Sequence, residues 1–153
     1  MADAYKKMYI HVIFAVKNRN ALLHESWREE VFKYIAGIIN KRGHYSLAVN
    51  GHHDHIHLFF DYKGNELVSD LVRELKKSSH RFIKEKRLSH YKFEWQSGYG
   101  AFSHGYNEKN TIIQYIKNQK SQHKKKSFRD EYLHFLKSYE IDFNSDYLFE
   151  FHE

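Results

Sequence analysis

The chain has no cysteine among its 153 residues. Disulfides and thiolate metal sites are therefore excluded, and any metal must be held by nitrogen and oxygen donors. Proline is absent as well, a feature with no evident physical consequence. No apolar run approaches the roughly 20 residues of a membrane-spanning helix, and the N-terminus lacks the apolar stretch of a signal peptide. The expectation is a cytoplasmic protein with no membrane partner. Acidic residues are the minority, 19 against 25 lysines and arginines, which leaves a formal charge of +6 and a pI near 9.3. A basic surface favours a nucleic-acid partner without requiring one.

What is present is enough for a folded core. Hydrophobic residues make up 41% of the chain and aromatics 17%, and at this length one domain is expected over residues 1–153. Residues 8–16 are apolar on both alternating sets, as in a central strand covered on two sides. Ser26 is placed to cap a helix beginning at Trp27, with Glu29 in the capping-box position, and the helix ends near Gly43. Residues 44–50 and 53–62 read as a hairpin around Gly51. Residues 66–86 read as a second helix. Two short extended pieces, 92–96 and 99–103, follow it. A third helix is expected from Glu108 to about Lys120, and a fourth over 127–139. The order β-α-β-β-α-β followed by helices predicts an α+β fold, a ferredoxin-like (RRM-like) antiparallel sheet with helices on its faces. The core is expected over about 5–135, with a C-terminal helix and tail over about 127–153.

The most informative segment is His55-Ile56-His57. Side chains alternate along a strand, so the two histidines share one face and Ile56, Leu58 and Phe60 take the other. Two imidazoles about 7 Å apart along a strand can converge on one metal ion. Further on, Tyr115 and Gln119 lie four residues apart, neighbours on one helix face, beside the apolar stripe of Ile112, Ile113 and Ile116. From there a tyrosine hydroxyl could reach a phosphate and a glutamine carbonyl could complete a metal site. Each feature has an ordinary alternative. Strand histidines are usually plain surface or partly buried residues, and a tyrosine among isoleucines is usually core. His52 and His53 read as surface or supporting residues, and Trp95 and Phe102 as core rather than base-stacking platforms. Arg73, Lys76, Lys77, Arg81 and Lys84 form a basic helix, either a solvated face or a phosphate track.

Three segments together are specific: His55-Ile56-His57, the run Trp95-Gln96-Ser97-Gly98-Tyr99-Gly100-Ala101-Phe102-Ser103, and Tyr115-Ile116-Lys117-Asn118-Gln119. With the opening strand around Ile10-His11-Val12, they resemble the single-tyrosine transposases of the HUH superfamily, the small IS200-like bacterial insertion-sequence type. The likeness spans about residues 5–135. It implies that His55, His57 and Gln119 are metal ligands, that Tyr115 is the nucleophile, and that the metal is Mg²⁺ or Mn²⁺. It also implies a homodimer in a bacterial or archaeal cytoplasm. Such enzymes act on single-stranded DNA hairpins and cut one strand through a 5′-phosphotyrosine. In this family the tyrosine helix can reach the partner's histidines, so composite sites between two chains are expected. The alternatives are a domesticated relative that nicks genomic hairpins, and a noncatalytic ferredoxin-like nucleic-acid-binding module. The intact set His55, His57, Tyr115 and Gln119 argues against the last.

Overall fold

A computed structural model describes residues 4–152. Four strands form one antiparallel sheet in the order β2-β3-β1-β4, namely Tyr45–Gly51, His55–Asp61, Tyr9–Ala15 and Gly100–His104. Helix α1 (Arg28–Lys41) links β1 to β2, and α2 (Val68–Glu85) links β3 to β4. This is the ferredoxin-like arrangement expected from the element order.

The register decides what each face carries. Ile13 pairs with His57, Ala15 with His55, and His11 with both Phe59 and Phe102. Residues directly opposite share a face. Tyr9, His11, Ile13, His55, His57, Phe59, Phe102 and His104 therefore occupy one side. The other side is Ile10, Val12, Phe14, Ile56, Leu58 and Phe60, all but Ile10 fully buried, and α1 and α2 pack there through Val31, Ile35, Ile39, Leu71 and Leu75. Burying about ten such side chains at roughly 1.5–3 kcal/mol each supplies the main driving force for this layer.

Helix α1 starts one residue later than expected, and no side chain caps it. Ser26 instead bonds His24 Nδ1 at 2.8 Å, which takes its hydroxyl away from the helix end. The third expected helix is broken in two, α3 (Lys109–Lys117) and the single turn α4 (Gln119–Gln122), with Asn118 between them at φ −97° and ψ 26°. The cause comes from β2. The Asn50 side-chain amide donates to the carbonyls of Ile116 and Lys117 at 3.0 and 3.1 Å, and so ends α3. Helix α5 (Phe128–Ser138) is capped by Ser127, whose hydroxyl accepts from the Asp130 N–H at 3.1 Å.

Packing continues beyond the expected core limit near residue 135. Phe149 is buried and stacks on Phe128, with ring centroids 6.1 Å apart. Gln96 clamps the tail. Its amide donates to the carbonyls of Val16 (2.8 Å) and Glu150 (2.7 Å), and its oxygen accepts from the Glu150 N–H at 2.7 Å. Trp95 is packed edge-on against Phe14 at 4.8 Å and donates to Ser79 Oγ, which makes it a core residue. No helix among the described residues is long and apolar enough to cross a membrane.

Candidate active site

The histidine-bearing sheet face is covered by α3, α4 and α5. Tyr115 and Ile116 of α3 pack on the side of Tyr9, Ala48 and Phe59. On the other flank α5 lays the Phe128 ring on His55, centroids 3.9 Å apart and planes within 2° of parallel. Phe135 meets His11 edge-on at 5.1 Å. Tyr132 fits against β4 only because residue 100 is glycine: a Cβ there would come within 2.8 Å of the Tyr132 hydroxyl.

His55 and His57 are both fully buried and both turn Nε2 toward one spot. Their Nδ1 atoms are engaged elsewhere. His55 Nδ1 lies 2.7 Å from Asp54 Oδ1, and His57 Nδ1 lies 2.8 Å from His11 Nε2. In the tautomer that donates Nδ1–H to those partners and carries no proton on Nε2, the Nε2 lone pairs would face the site, as metal-ligating histidines require. The His11 ring continues to His104, Nδ1 to Nε2 at 3.4 Å. A histidine row thus crosses β3, β1 and β4.

Gln119 Oε1 lies 3.0 Å from His55 Nε2. Tyr115 sits above, its ring 5.9 Å from that of His57. The four residues singled out in the sequence therefore meet in one chain. Within the single chain, the break at Asn118 folds Gln119 over the histidines of its own sheet.

At the centre is a residue the sequence reading missed, Glu131 of α5, only 2% exposed. Its Oε1 lies 3.1 Å from His57 Nε2 and 3.4 Å from His55 Nε2. Its Oε2 accepts hydrogen bonds from the Tyr115 hydroxyl and from Gln119 Nε2. His123, at the end of α4, places Nε2 3.0 Å from Gln119 Oε1 and 3.3 Å from Glu131 Oε1. The signals for these residues were faint but physical. Glu131 is a carboxylate inside the apolar face formed by Phe128, Tyr132 and Phe135. His123 is four residues past Gln119. Asp54 adjoins His55, and His11 lies diagonally across from His57, which only the register reveals.

The electrostatics follow from burial and these contacts. Burial would raise Glu131, but His57, His123 and His55 overcome it and hold the carboxyl far below its ordinary value. Burial would lower His55, but hydrogen bonds and charge from Asp54 and Glu131 win and raise it to about 9. His57 and His11 are lowered, chiefly by burial. Tyr115 is pushed well above a free phenol by burial and by the adjacent Glu131 charge, so it is held protonated.

These residues fit a divalent ion. His55, His57 and Glu131 offer three donor atoms all within 4.8 Å of one another, and all three residues are buried. Lone pairs from imidazole, amide and carboxylate converge there, and something positive must sit among them, either shared protons or a metal. An open cleft of about 280 Å³ between α3 and α5 reaches Tyr115 and Glu131, with Ile112, Lys126, His134 and Phe135 on its walls.

A sequence profile for the family described as "Transposase IS200 like" matches residues 4–119. The chain belongs to that family. Two solved structures share its fold. One is a candidate transposase from Deinococcus radiodurans R1, 22% identical with a TM-score of 0.60, the match covering 78% of this chain and 95% of the other. The second is a REP-associated tyrosine transposase bound to a REP hairpin, 17% identical with a TM-score of 0.59, covering 80% and 73%. No curated relative matches the chain. The family match stops at Gln119, so His123, α5 and Glu131 lie outside it.

The basic residues expected to contact DNA lie elsewhere. Helix α2 packs on the far side of the sheet, where Lys76 stands over the Phe14 ring, 5.4 Å from its centre. Arg73, Lys77, Arg81 and Lys84 are exposed there at helical spacing. Lys76 differs from them. Its ammonium donates to the carbonyls of Gln96 (2.9 Å) and Gly98 (2.6 Å), so it holds the loop before β4.

Proposed function

We propose that this transposase cleaves and rejoins single-stranded DNA at hairpin-marked ends, with Tyr115 as nucleophile and a 5′-phosphotyrosine as intermediate. The observation that carries this reading is the convergence of His55, His57, Gln119 and Tyr115 in one buried cluster. A divalent ion bound there, Mg²⁺ or Mn²⁺, would neutralise charge developing on the scissile phosphate. The protein's own residues do the rest. Tyr115 lines the cleft between α3 and α5. Its proton has a near acceptor in Glu131 Oε2, which already takes that hydrogen bond. The phenolic oxygen forms a bond to phosphorus while the bond to the 3′-oxygen breaks, leaving a free 3′-OH. A later 3′-OH reverses the step without ATP, because the phosphotyrosine keeps the energy of the broken bond. Phe128 and Phe135 exclude water from the histidine face, which strengthens these electrostatic contacts.

The exposed stripe Arg73, Lys77, Arg81 and Lys84 is suited to the phosphates of a hairpin stem held on the opposite face. A hairpin substrate is favoured by the REP hairpin bound to the structural neighbour. A homodimer in the cytoplasm of a bacterium or archaeon completes the reading. Its test is cleavage of a labelled hairpin oligonucleotide with single-stranded flanks. Cleavage is expected with Mn²⁺ or Mg²⁺ and lost in chelator and in His57→Ala. Full cleavage under either condition would refute the metal assignment.

A further inference from the structure

His11 and His104 have no part in the chemistry above, yet both stand in the histidine row of the sheet. We propose that His11 is a positioning residue for His57. It holds that ring in the tautomer whose Nε2 is bare toward the metal position, and His104 and Tyr139 hold His11 in turn. This rests on the proposed metal-dependent site.

His11 is fully buried, and its two ring nitrogens bond two other imidazoles, His57 and His104. A neutral imidazole donates from one nitrogen and accepts at the other, so it passes on a direction but does not start one. The direction starts at the outer end of the row. There Tyr139 donates its hydroxyl to the Ser103 carbonyl at 2.7 Å and stands 3.1 Å from His104 Nδ1. Its oxygen is left to accept. Glu108 Oε2, 3.7 Å from the same nitrogen, is an acceptor too. His104 therefore carries its proton on Nδ1 and turns the Nε2 lone pair to His11 Nδ1–H, the longest link at 3.4 Å. His11 Nε2 then accepts from His57 Nδ1–H at 2.8 Å.

Three rings thus supply three protons to three contacts. The contact left without a proton is His57 Nε2 to Glu131 Oε1, 3.1 Å apart. Two acceptors facing each other in a buried place call for a cation between them. Run in the opposite sense, the same row would put a proton on His57 Nε2 and block ligation. A ligating histidine ordinarily gives its other N–H to a carboxylate, a backbone carbonyl or a water. His55 follows that pattern through Asp54, at 2.7 Å. Behind His57 stands an imidazole instead, and it needs its own chain of contacts out to the Ser103 carbonyl to be an acceptor. Packing keeps the His11 ring in line. It stacks on His57 with centroids 5.0 Å apart and meets Phe135 edge-on at 5.1 Å and Phe102 at 6.2 Å.

The test is calorimetric titration of the metal-stripped full chain with MnCl₂, joined to nitrogen NMR of its histidine rings in saturating MgCl₂, which reads the tautomer of each ring. With Mg²⁺ bound, His57, His11 and His104 should each carry the proton on Nδ1. His11→Phe keeps a flat ring beside Phe102 and Phe135 but removes the acceptor, and should weaken Mn²⁺ about 10- to 100-fold. His11→Gln returns an amide oxygen to the place of Nε2 and should recover most of that loss, which a merely space-filling role would not allow. If His11→Phe fails to fold by circular dichroism, the wild-type tautomers and His11→Gln still decide. An Nε2 proton on His11 or His104 in the Mg²⁺-loaded chain, wild-type Mn²⁺ affinity in folded His11→Phe, or a His11→Gln no better than His11→Phe would overturn the role of His11. His57→Ala separates the two levels: Mn²⁺ binding equal to wild type there would refute the His55–His57 site itself.

Discussion

Tyr115→Phe removes a single oxygen, to which the structure gives one role and the proposed function a second. In the resting chain the hydroxyl donates to Glu131, a carboxylate buried at 2% exposure. A hydrogen bond to a charged group contributes about 1.5–3 kcal/mol. Glu131 keeps the Gln119 amide and its histidine contacts after the change, so the lower part of that range applies, about 2 kcal/mol. For a chain of this length about 1 kcal/mol moves the melting temperature by roughly 2–4 °C, which predicts a fall of about 4–8 °C. The phenyl ring still packs against His57 and Phe135, so the fold and hairpin binding should persist. Cleavage should disappear. The assay pairs differential scanning calorimetry of the metal-stripped chain with cleavage of a labelled hairpin. An unchanged melting temperature would show that the hydroxyl is not held by Glu131. Residual cleavage at the wild-type rate would remove Tyr115 as nucleophile.

Other outcomes follow from single contacts. Gly51→Ala places a Cβ 2.2 Å from the His55 carbonyl oxygen and 2.9 Å from the Ile56 Cα, so β3 must shift. It should destabilise the chain and abolish cleavage, and retained activity by gel assay would contradict the rigid hairpin. Glu66 is held below its ordinary value by hydrogen bonds from Arg42 and His44. A lowered folded value means the stabilisation is present above the free glutamate value and fades as pH falls. Glu66→Gln should therefore lower the melting temperature at neutral pH by an amount that shrinks toward pH 3, and a pH-independent difference would refute this. If the arrangement seen within one chain is the working one, mixing Tyr115→Phe with His57→Ala after subunit exchange should restore no cleavage; recovery of about a quarter of wild-type sites would demonstrate the composite sites expected from the resemblance. Neutralising Lys77, Arg81 and Lys84 together should reduce the log–log salt slope of hairpin binding by about 3, at roughly 0.9 per phosphate contact on a duplex stem. An unchanged slope would move the DNA to another face.

Much of this site was legible in the sequence, and the part that was not has a physical reason. The hydrophobic partners of His55 and His57 alternate strictly, so strand identity and the shared face followed from local pattern alone. Tyr115 and Gln119 were found by helical spacing, although the helix between them is broken. The break is imposed by Asn50, sixty-six residues from Ile116, and no local propensity at Asn118 announces it. Glu131 was hidden for a related reason. Its role exists only when α5 folds back over the sheet, and in sequence it is one acidic residue in an amphipathic helix. His11 was hidden by register: a two-dimensional pairing places it against His57, and a linear pattern cannot. The basic helix was visible, but which of its members are free was not. Lys76 is committed to two carbonyls, while Lys77 beside it is exposed.

The central claim is that Tyr115 becomes covalently joined to DNA in a metal-dependent step. The most direct measurement is peptide mass spectrometry after a hairpin oligonucleotide is incubated with the chain and Mn²⁺, quenched by denaturation, and digested with nuclease and protease. The account predicts a nucleotide phosphate on Tyr115, absent when chelator replaces Mn²⁺. An adduct on any of the other tyrosines, or cleavage with no adduct at all, would contradict it.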